Sequence, residues 1–127
     1  INLYHSLSVP YRGKAVWLLN DSTVQFIRKL KDGNGQYLWQ PGLVAGAPDT
    51  ILGRPVKVSR YMPSLEAGQN AIAFGDYSYY NIGDRGTRSF KQLTELFAGN
   101  GMIGYVAKER VDGKLILPEA IKTLQMK

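Results

Sequence analysis

Tyr-Arg-Gly-Lys-Ala-Val-Trp-Leu-Leu-Asn, residues 11–20, is the stretch of sequence that decides the fold. Its continuous apolar run at residues 15–19 is typical of a buried strand, since a strand covered on both faces needs no polar alternation. Asp21 or Ser22 can then cap a helix, because a side-chain oxygen there accepts from an otherwise unpaired N–H. Apolar residues follow at helical spacing, with basic residues near the end to complement the helix dipole. The stretch therefore predicts a buried strand followed by a helix over residues 22–31.

Further strands are predicted on both sides of the glycine and proline clusters. Residues 3–12 read as the end of a helix and a loop, with Pro10 breaking regular structure. Residues 40–50 contain two prolines and two glycines and predict a loop. Alternation at residues 56–59 and an apolar run at residues 70–74 predict two strands, and residues 77–82 are expected to continue extended. The first half is thus a mixture of strands and one clear helix.

The second half is richer in strand signals. Residues 87–93 alternate moderately, and residues 102–111 predict one long strand. Asp112 followed by Gly113 predicts a hairpin turn. Pro118 suits the first position of a short helix. The chain is therefore expected to be α+β, with a mostly β second half.

The amino-acid composition limits the size of the protein and the kinds of site that it can form. The chain has 127 residues, enough for one domain, and its 44% hydrophobic content is ordinary for a globular protein. It has no cysteine, which excludes disulfides and thiolate metal sites. Sixteen Lys and Arg against ten Asp and Glu give a net charge of +6, but the basic residues are scattered. No apolar run is long enough to span a bilayer, so no membrane partner is predicted. Because the chain opens at Ile1 and not Met, we expect a fragment or a processed product.

Catalytic chemistry finds little support. The single histidine, His5, has no carboxylate near it in sequence and reads as a surface or interface residue. Asp76, Asp84 and Glu95 are candidates for paired acid–base carboxylates, but their spacing does not force them together. No phosphate-binding glycine loop and no nucleophile elbow is present. We therefore predict no enzyme activity, catalytic residue, metal, cofactor or small-molecule substrate.

A nucleic-acid-binding module is the alternative to a structural role. Tyr77, Tyr79 and Tyr80 can stack bases while Arg85 and Arg88 bind phosphates. The competing interpretation is that these aromatic residues fill a core or a subunit contact. Such a module would bind nucleic acid with a steep dependence on salt.

An ordered set of motifs resembles the major capsid protein family of tailed bacteriophages and prophages, which has the HK97-like fold. Residues 11–20 resemble the family's Y-R-x-x-A-x-W-x-M-N segment. Residues 23–32 and 35–41 resemble its helix and L-K-D-x-x-G-x-Y-L-W element, and residues 52–56 its L-L-G-x-P-V segment. Met62-Pro63, residues 73–76 and the closing pair at residues 110–113 and 118–121 follow in the family's order. Each motif is weak alone, but their order makes chance unlikely.

The resemblance implies an architecture and its limits. Residues 1–80, with residues 117–127 returning to them, would form an axial domain that has a central mixed sheet flanked by helices. Residues 81–116 would be the β-arm of a peripheral domain, a protruding long β-hairpin with its tip near residues 95–101. The family's N-terminal arm, extended loop and long spine helix would precede Ile1. A cellular shell protein such as an encapsulin is a variant of the same interpretation.

The resemblance also implies a function. The chain would belong to a structural protein that self-assembles as pentamers and hexamers into an icosahedral shell. That shell would enclose DNA bound without sequence specificity, and it would be assembled in the cytoplasm of a bacterial host and end in the virion. The family's covalent Lys–Asn crosslink is not carried over. The candidate subunit-contact residues are Gln40, Pro41, Asp49, Arg85, Arg88, Glu95, Asn100 and Arg110.

Overall fold

The structure, a computed structural model, describes residues 1–37, 39 and 49–127. It divides into two units. We call the first the sheet unit, which comprises Ile1–Tyr79 and Leu117–Lys127, and the second the arm unit, Tyr80–Ile116. The sheet unit holds the helices and a mixed sheet, and the arm unit is built from antiparallel strands, so the fold is α+β as predicted.

The sheet unit begins with helix α1 (Asn2–Ser6) and helix α2 (Val9–Arg12). The prediction that Pro10 breaks regular structure is wrong, because Pro10 lies in the first turn of α2. A proline is tolerated there, since the N–H that it lacks would have no partner within the helix.

Strand β1 (Val16–Leu19) and helix α3 (Asp21–Arg28) follow, as the opening stretch predicts. The cap, however, is Asn20 and neither Asp21 nor Ser22, because the Asn20 side chain accepts from the N–H of Ser22 at 3.1 Å. The helix also ends at Arg28 and not at residue 31. Asp32 accepts from the N–H groups of Asn34 and Gln36, each at 2.9 Å, and this local turn competes with a further helical turn.

The sheet has five strands in the order β2-β3-β1-β4-β9. The remaining strands are β2 (Thr50–Ile51), β3 (Arg54–Val58), β4 (Asn70–Gly75) and β9 (Ile121–Gln125). Strand β1 pairs with β3 in parallel and with β4 antiparallel, and β4 pairs antiparallel with β9. The predicted central mixed sheet is therefore confirmed. The predicted loop at residues 40–50 lies outside the described residues, except for Asp49 and Thr50.

Aromatic side chains form the centre of the core. Phe74 is fully buried and its ring stacks on Trp17, with 4.0 Å between centroids, and on Tyr4, with 5.4 Å. The indole Nε1 of Trp17 donates to the carbonyl of Ile51 at 2.9 Å, so the buried polar atom is satisfied. Leu7 and Leu19 complete this cluster without any exposed surface. The core thus ties α1 and β1 to β4 on one side of the sheet.

A 3₁₀ turn follows β4 where an extended segment is predicted. Asp76 is buried and accepts from the N–H and the hydroxyl of Ser78 at 3.0 and 2.7 Å. This Asx turn closes the 3₁₀ turn Tyr77–Tyr79. A second 3₁₀ turn, Pro118–Ala120, leads into β9, in agreement with the short helix predicted at Pro118.

The chain of the arm unit runs along β5 (Tyr80–Asp84) and β6 (Ser89–Leu93) to a tip and returns along β7 (Gly104–Lys108) and β8 (Val111–Leu115). Strand β5 pairs antiparallel with β8, and β6 pairs antiparallel with β7. The result is one long hairpin made of two ribbons, which we call the inner ribbon (β5 with β8) and, next to the tip, the outer ribbon (β6 with β7). Residues 102–111 are therefore not a single strand, because the chain passes from one ribbon to the next between Lys108 and Val111.

The hairpin turn predicted at Asp112 and Gly113 is also wrong. Gly113 lies inside β8 opposite Ile82, and it does not have the positive φ that a tight hairpin turn requires. Instead, Gly113 leaves room for the ring of Tyr80: a Cβ placed there would lie 2.4 Å from the Tyr80 hydroxyl oxygen. The glycine serves a close cross-strand contact and not a turn.

Candidate functional site

The arm unit has almost no interior. None of its residues is buried, and the partly buried ones are Leu93, Gly104, Val106 and Leu115. Each ribbon has only two strands, and a two-stranded ribbon with exposed faces is marginally stable in water. The arm therefore offers large surfaces for contact.

An aromatic pair covers one face of the outer ribbon. Phe90 and Tyr105 lie on neighbouring strands, with ring centroids 5.6 Å apart and ring planes 19° apart. They remain 73% and 61% exposed. A stacked pair of this size exposed to solvent is typical of an interaction surface, since scattered single residues would need no explanation but a contiguous pair does.

The inner ribbon has an apolar face of its own. Tyr80 and Ile82 lie on one face of β5, and Leu115 and Val111 lie on the same face of β8, with Asp84 opposite Val111 at its end. Ile82 is 70% exposed, and Val111 is 53% exposed. We call these four residues the inner apolar face, and Phe90 with Tyr105 the outer aromatic pair.

The tip between β6 and β7 carries two predicted contact residues. Glu95 accepts from the N–H of Ala98 through its carbonyl, at 3.3 Å, and Asn100 lies in the 3₁₀ turn Ala98–Asn100. Phe97 packs on Gly104, where a Cβ would lie 2.7 Å from its ring. The carboxylate of Glu95 and the amide of Asn100 are exposed and make no hydrogen bond within the described residues.

Three of the predicted subunit-contact residues are arginines that lie where the two ribbons join. The N–H of Arg85 donates to the carbonyl of Arg110 at 2.9 Å, which places the two residues opposite each other. Arg88 forms an ion pair with Glu109 in the same arm, with 2.7 Å between Nε and Oε1. Arg88 therefore already has a partner, while the side chains of Arg85 and Arg110 form no ion pair or hydrogen bond with any described residue.

Asp49 lies in the sheet unit and is engaged there. Its carboxylate forms an ion pair with Arg28, whose guanidinium lies over the ring of Trp39 at 5.0 Å. The other two predicted contacts, Gln40 and Pro41, lie outside the described residues. The structure thus brings Arg85, Arg88 and Arg110 together and places Glu95 and Asn100 at the tip.

The candidate catalytic carboxylates belong to different elements. Asp84 lies in β5, Glu95 at the tip and Asp76 in the sheet unit. Across the described ranges, no three His, Asp or Glu side chains are grouped to hold a metal ion. The ring of His5 packs edge-on against Tyr4 at 5.3 Å. No helix in the described part of the chain is both long and apolar enough to cross a bilayer.

The outer aromatic pair is not among the residues that the sequence indicates. Part of the signal was present, because Phe90 lies between the polar residues Ser89 and Lys91, as in a strand with one exposed face. What it lacked was the partner strand, since only the register of β6 on β7 places Tyr105 beside Phe90.

Comparison with known proteins identifies a family, and two of the solved structures that match are capsids. The model of the phage capsid family matches residues 1–126. The capsid of an empty GTA particle, computed with C5 symmetry, superposes with a TM-score of 0.81 at 33% identity. The capsid of a native GTA particle, also computed with C5 symmetry, gives 0.79 at 33% identity. Both cover 98% of this chain, which spans 42% and 46% of the matched chains. Among curated proteins there is no significant match.

Proposed function

The chain belongs to the phage capsid family and has the HK97-like fold of that family. From this premise we propose that it is part of a capsid subunit and that it contacts neighbouring copies of the same subunit. The observation that carries the proposal is the arm: two ribbons without an interior, whose outer aromatic pair and inner apolar face are left in solvent. Covering such surfaces with a neighbouring chain would stabilise both partners through apolar burial.

The two units would have different places in the shell. We assign the sheet unit to the axial domain and the arm unit to the β-arm of the peripheral domain. The five-stranded sheet with its aromatic core supports the first assignment, because a rigid body is needed where subunits meet around an axis. The exposed ribbons support the second, because they depend on contacts from outside.

Repeated contacts between one patch and a different patch close into rings. We propose rings of five and six, and the C5 symmetry of the matched GTA capsids supports the first of these. Within them, Arg85, Arg110, Glu95 and Asn100 would contact neighbouring copies, because their side chains are exposed and have no partner within the described residues. Arg88 and Asp49 would have to exchange or share the partners that they already have.

The assembled shell would enclose DNA without reading its sequence, be assembled in the host cytoplasm and end in the virion. The role would be structural and not catalytic. Family membership and the two capsid matches support this assignment. Neither the fold nor these matches favours the alternative of a nucleic-acid-binding module.

The outer aromatic pair provides the test. Replacing both residues (Phe90→Ser with Tyr105→Ser) removes two large apolar surfaces that are already exposed, so the sheet unit should keep its stability. Association of the chain with itself should weaken by at least about tenfold, since aromatic residues that become buried in an interface dominate its free energy. Sedimentation velocity over a concentration series measures this directly.

A matched control lies on the opposite face of the same ribbon. Lys91→Ser with Lys108→Ser changes two exposed residues of β6 and β7 that face away from the aromatic pair. This variant should associate like the parent chain at moderate salt. Equal association by the parent and by the aromatic double variant would contradict the proposal that this face contacts another copy.

A further inference from the structure

The junction between the two ribbons of the arm contains a shallow concavity that is open to solvent. On the outgoing side four residues, 85–88, separate β5 from β6, while on the return side only residues 109–110 separate β7 from β8. The extra residues form a bulge, which Gly86 permits with its φ of +80°. The bulge opens a cleft of about 350 Å³ beside the Arg85–Arg110 backbone hydrogen bond.

Cations dominate the lining of this cleft. Arg85, Lys108 and Arg110 line it, and none of their side chains forms an ion pair or hydrogen bond with any described residue. The single acid in the lining, Glu109, is neutralised by Arg88 at 2.7 Å. Three uncompensated positive charges around one cleft, Arg85 on the bulge and Lys108 and Arg110 on the return side, repel one another, and an anion bound between them would relieve that repulsion.

Hydroxyl donors complete the set. Thr87 and Ser89 also line the cleft, and their hydroxyls have no hydrogen-bond partner among the described residues. Two guanidinium groups supply paired N–H donors that match the oxygens of a tetrahedral oxyanion, and the lysine adds a point charge. Three cations call for an anion with more than one charge, which favours phosphate over a single carboxylate.

We propose that the cleft lined by Arg85, Thr87, Ser89, Lys108 and Arg110 binds a multivalent phosphate anion. The phosphate can come from a free polyphosphate or from the backbone of a nucleic acid, and the chemistry of recognition is the same in both cases. The inference goes beyond the proposed function, because the site lies within one arm and needs no second copy.

Isothermal titration of the whole chain with inorganic tripolyphosphate, at constant ionic strength, tests the proposal. Lys108→Gln and Arg110→Gln should each weaken binding by about fivefold, since each removes a charge-assisted contact at an exposed site. Lys114→Gln is the matched control, because it removes the same charge from an exposed position of β8 outside the cleft. It should change binding by less than about twofold. All three substituted residues are exposed, and circular dichroism checks that the variants keep their strands.

A second titration with a short single-stranded oligonucleotide separates the two sources. Tighter binding of tripolyphosphate, lost in the cleft variants, assigns the site to a free polyphosphate. Tighter binding of the oligonucleotide, lost in the same variants, assigns it to a nucleic-acid backbone. If Lys108→Gln and Arg110→Gln bind both probes as Lys114→Gln does, the cleft is no site and the proposal is overturned. Neither result alters the test of self-association, which is made by sedimentation without added phosphate.

Discussion

Replacing Gly75 with alanine should disrupt the edge of the sheet where β4 meets β9. Gly75 pairs with Ile121, and the chain passes so close that an added Cβ would lie 2.2 Å from the carbonyl oxygen of Ala120 and 2.5 Å from the Cα of Ile121. Both are backbone atoms, so no side chain can rotate out of the way. The carbonyl oxygen would have to retreat by about 1.2 Å to reach an ordinary contact of 3.4 Å.

The cost follows from what that retreat breaks. The Ala120 carbonyl accepts from the N–H of Asp76 at 2.9 Å, and this bond would be lost, for about 1 kcal/mol. Forcing a methyl group into packed backbone adds about 1–3 kcal/mol. Alanine also restricts the unfolded chain more than glycine does, and this offsets about 0.5–1 kcal/mol of the destabilisation. We expect Gly75→Ala to lower the free energy of unfolding by about 2 kcal/mol.

Urea denaturation followed by tryptophan fluorescence measures this loss, because Trp17 is buried beside Phe74 in the same unit. With a slope of about 1–3 kcal/mol per molar urea, the midpoint should fall by about 1 M. Gly13→Ala is the control: Gly13 has a φ of −60°, and an added Cβ would meet nothing within 4 Å. It should be neutral or slightly stabilising. Equal midpoints for the two variants would refute the packing argument.

Two further predictions concern the same unit. Phe74→Ala should lower the free energy of unfolding by about 3–5 kcal/mol, because it empties a fully buried site between Trp17 and Tyr4. A urea midpoint close to that of the parent chain would contradict this prediction. Burial raises the pKa of Tyr77 to about 12 from its ordinary 10.0, so the folded chain holds this proton more tightly than the unfolded chain. The free energy of unfolding should therefore fall as pH rises from about 10 to about 12, by at most about 1.4 kcal/mol per pH unit from this group. Tyr77→Phe should remove that share of the decline in urea titrations at pH 8–12, and an unchanged alkaline decline would show that another group causes it.

Local pattern was enough to predict the elements that form the core. The apolar run at residues 15–19 and the helical spacing after it gave β1 and α3, and the run at residues 70–74 gave β4. A strand that is buried on both faces has a continuous apolar run, which can be recognised without knowing which elements pack against it. The sequence pattern could not predict which of several suitable adjacent residues takes a given role, such as the helix cap. Asn20, Asp21 and Ser22 are all good caps, and the structure uses Asn20.

Glycines were the least predictable feature. Asp112-Gly113 has the composition of a hairpin turn, but cross-strand packing of Tyr80 on Gly113 places the pair inside β8. The actual reversal occurs at the tip, where Gly101 has a φ of +68°. A glycine that gives room for a ring and one that permits a left-handed turn read alike in sequence, and only the pairing of strands distinguishes them.

The residues of the candidate site also fall into two groups, those that the sequence indicated and those that it did not. The sequence indicated Arg85, Arg88 and Arg110 as contact residues, and the strand register brings them to one junction. It did not indicate the outer aromatic pair, because Phe90 and Tyr105 are 15 residues apart and meet only through the pairing of β6 with β7. The ordered motifs carried the family assignment, which the match over residues 1–126 confirms.

Sedimentation velocity of the whole chain over a wide concentration range tests the central claim most directly. If the arm's apolar faces contact other copies, the mass should rise with concentration above the 14.1 kDa of the monomer toward closed rings. The rise should shift to concentrations at least about tenfold higher when Phe90 and Tyr105 are replaced with serine. A single monomeric species at every concentration, with the parent chain and the double variant indistinguishable, would contradict the account.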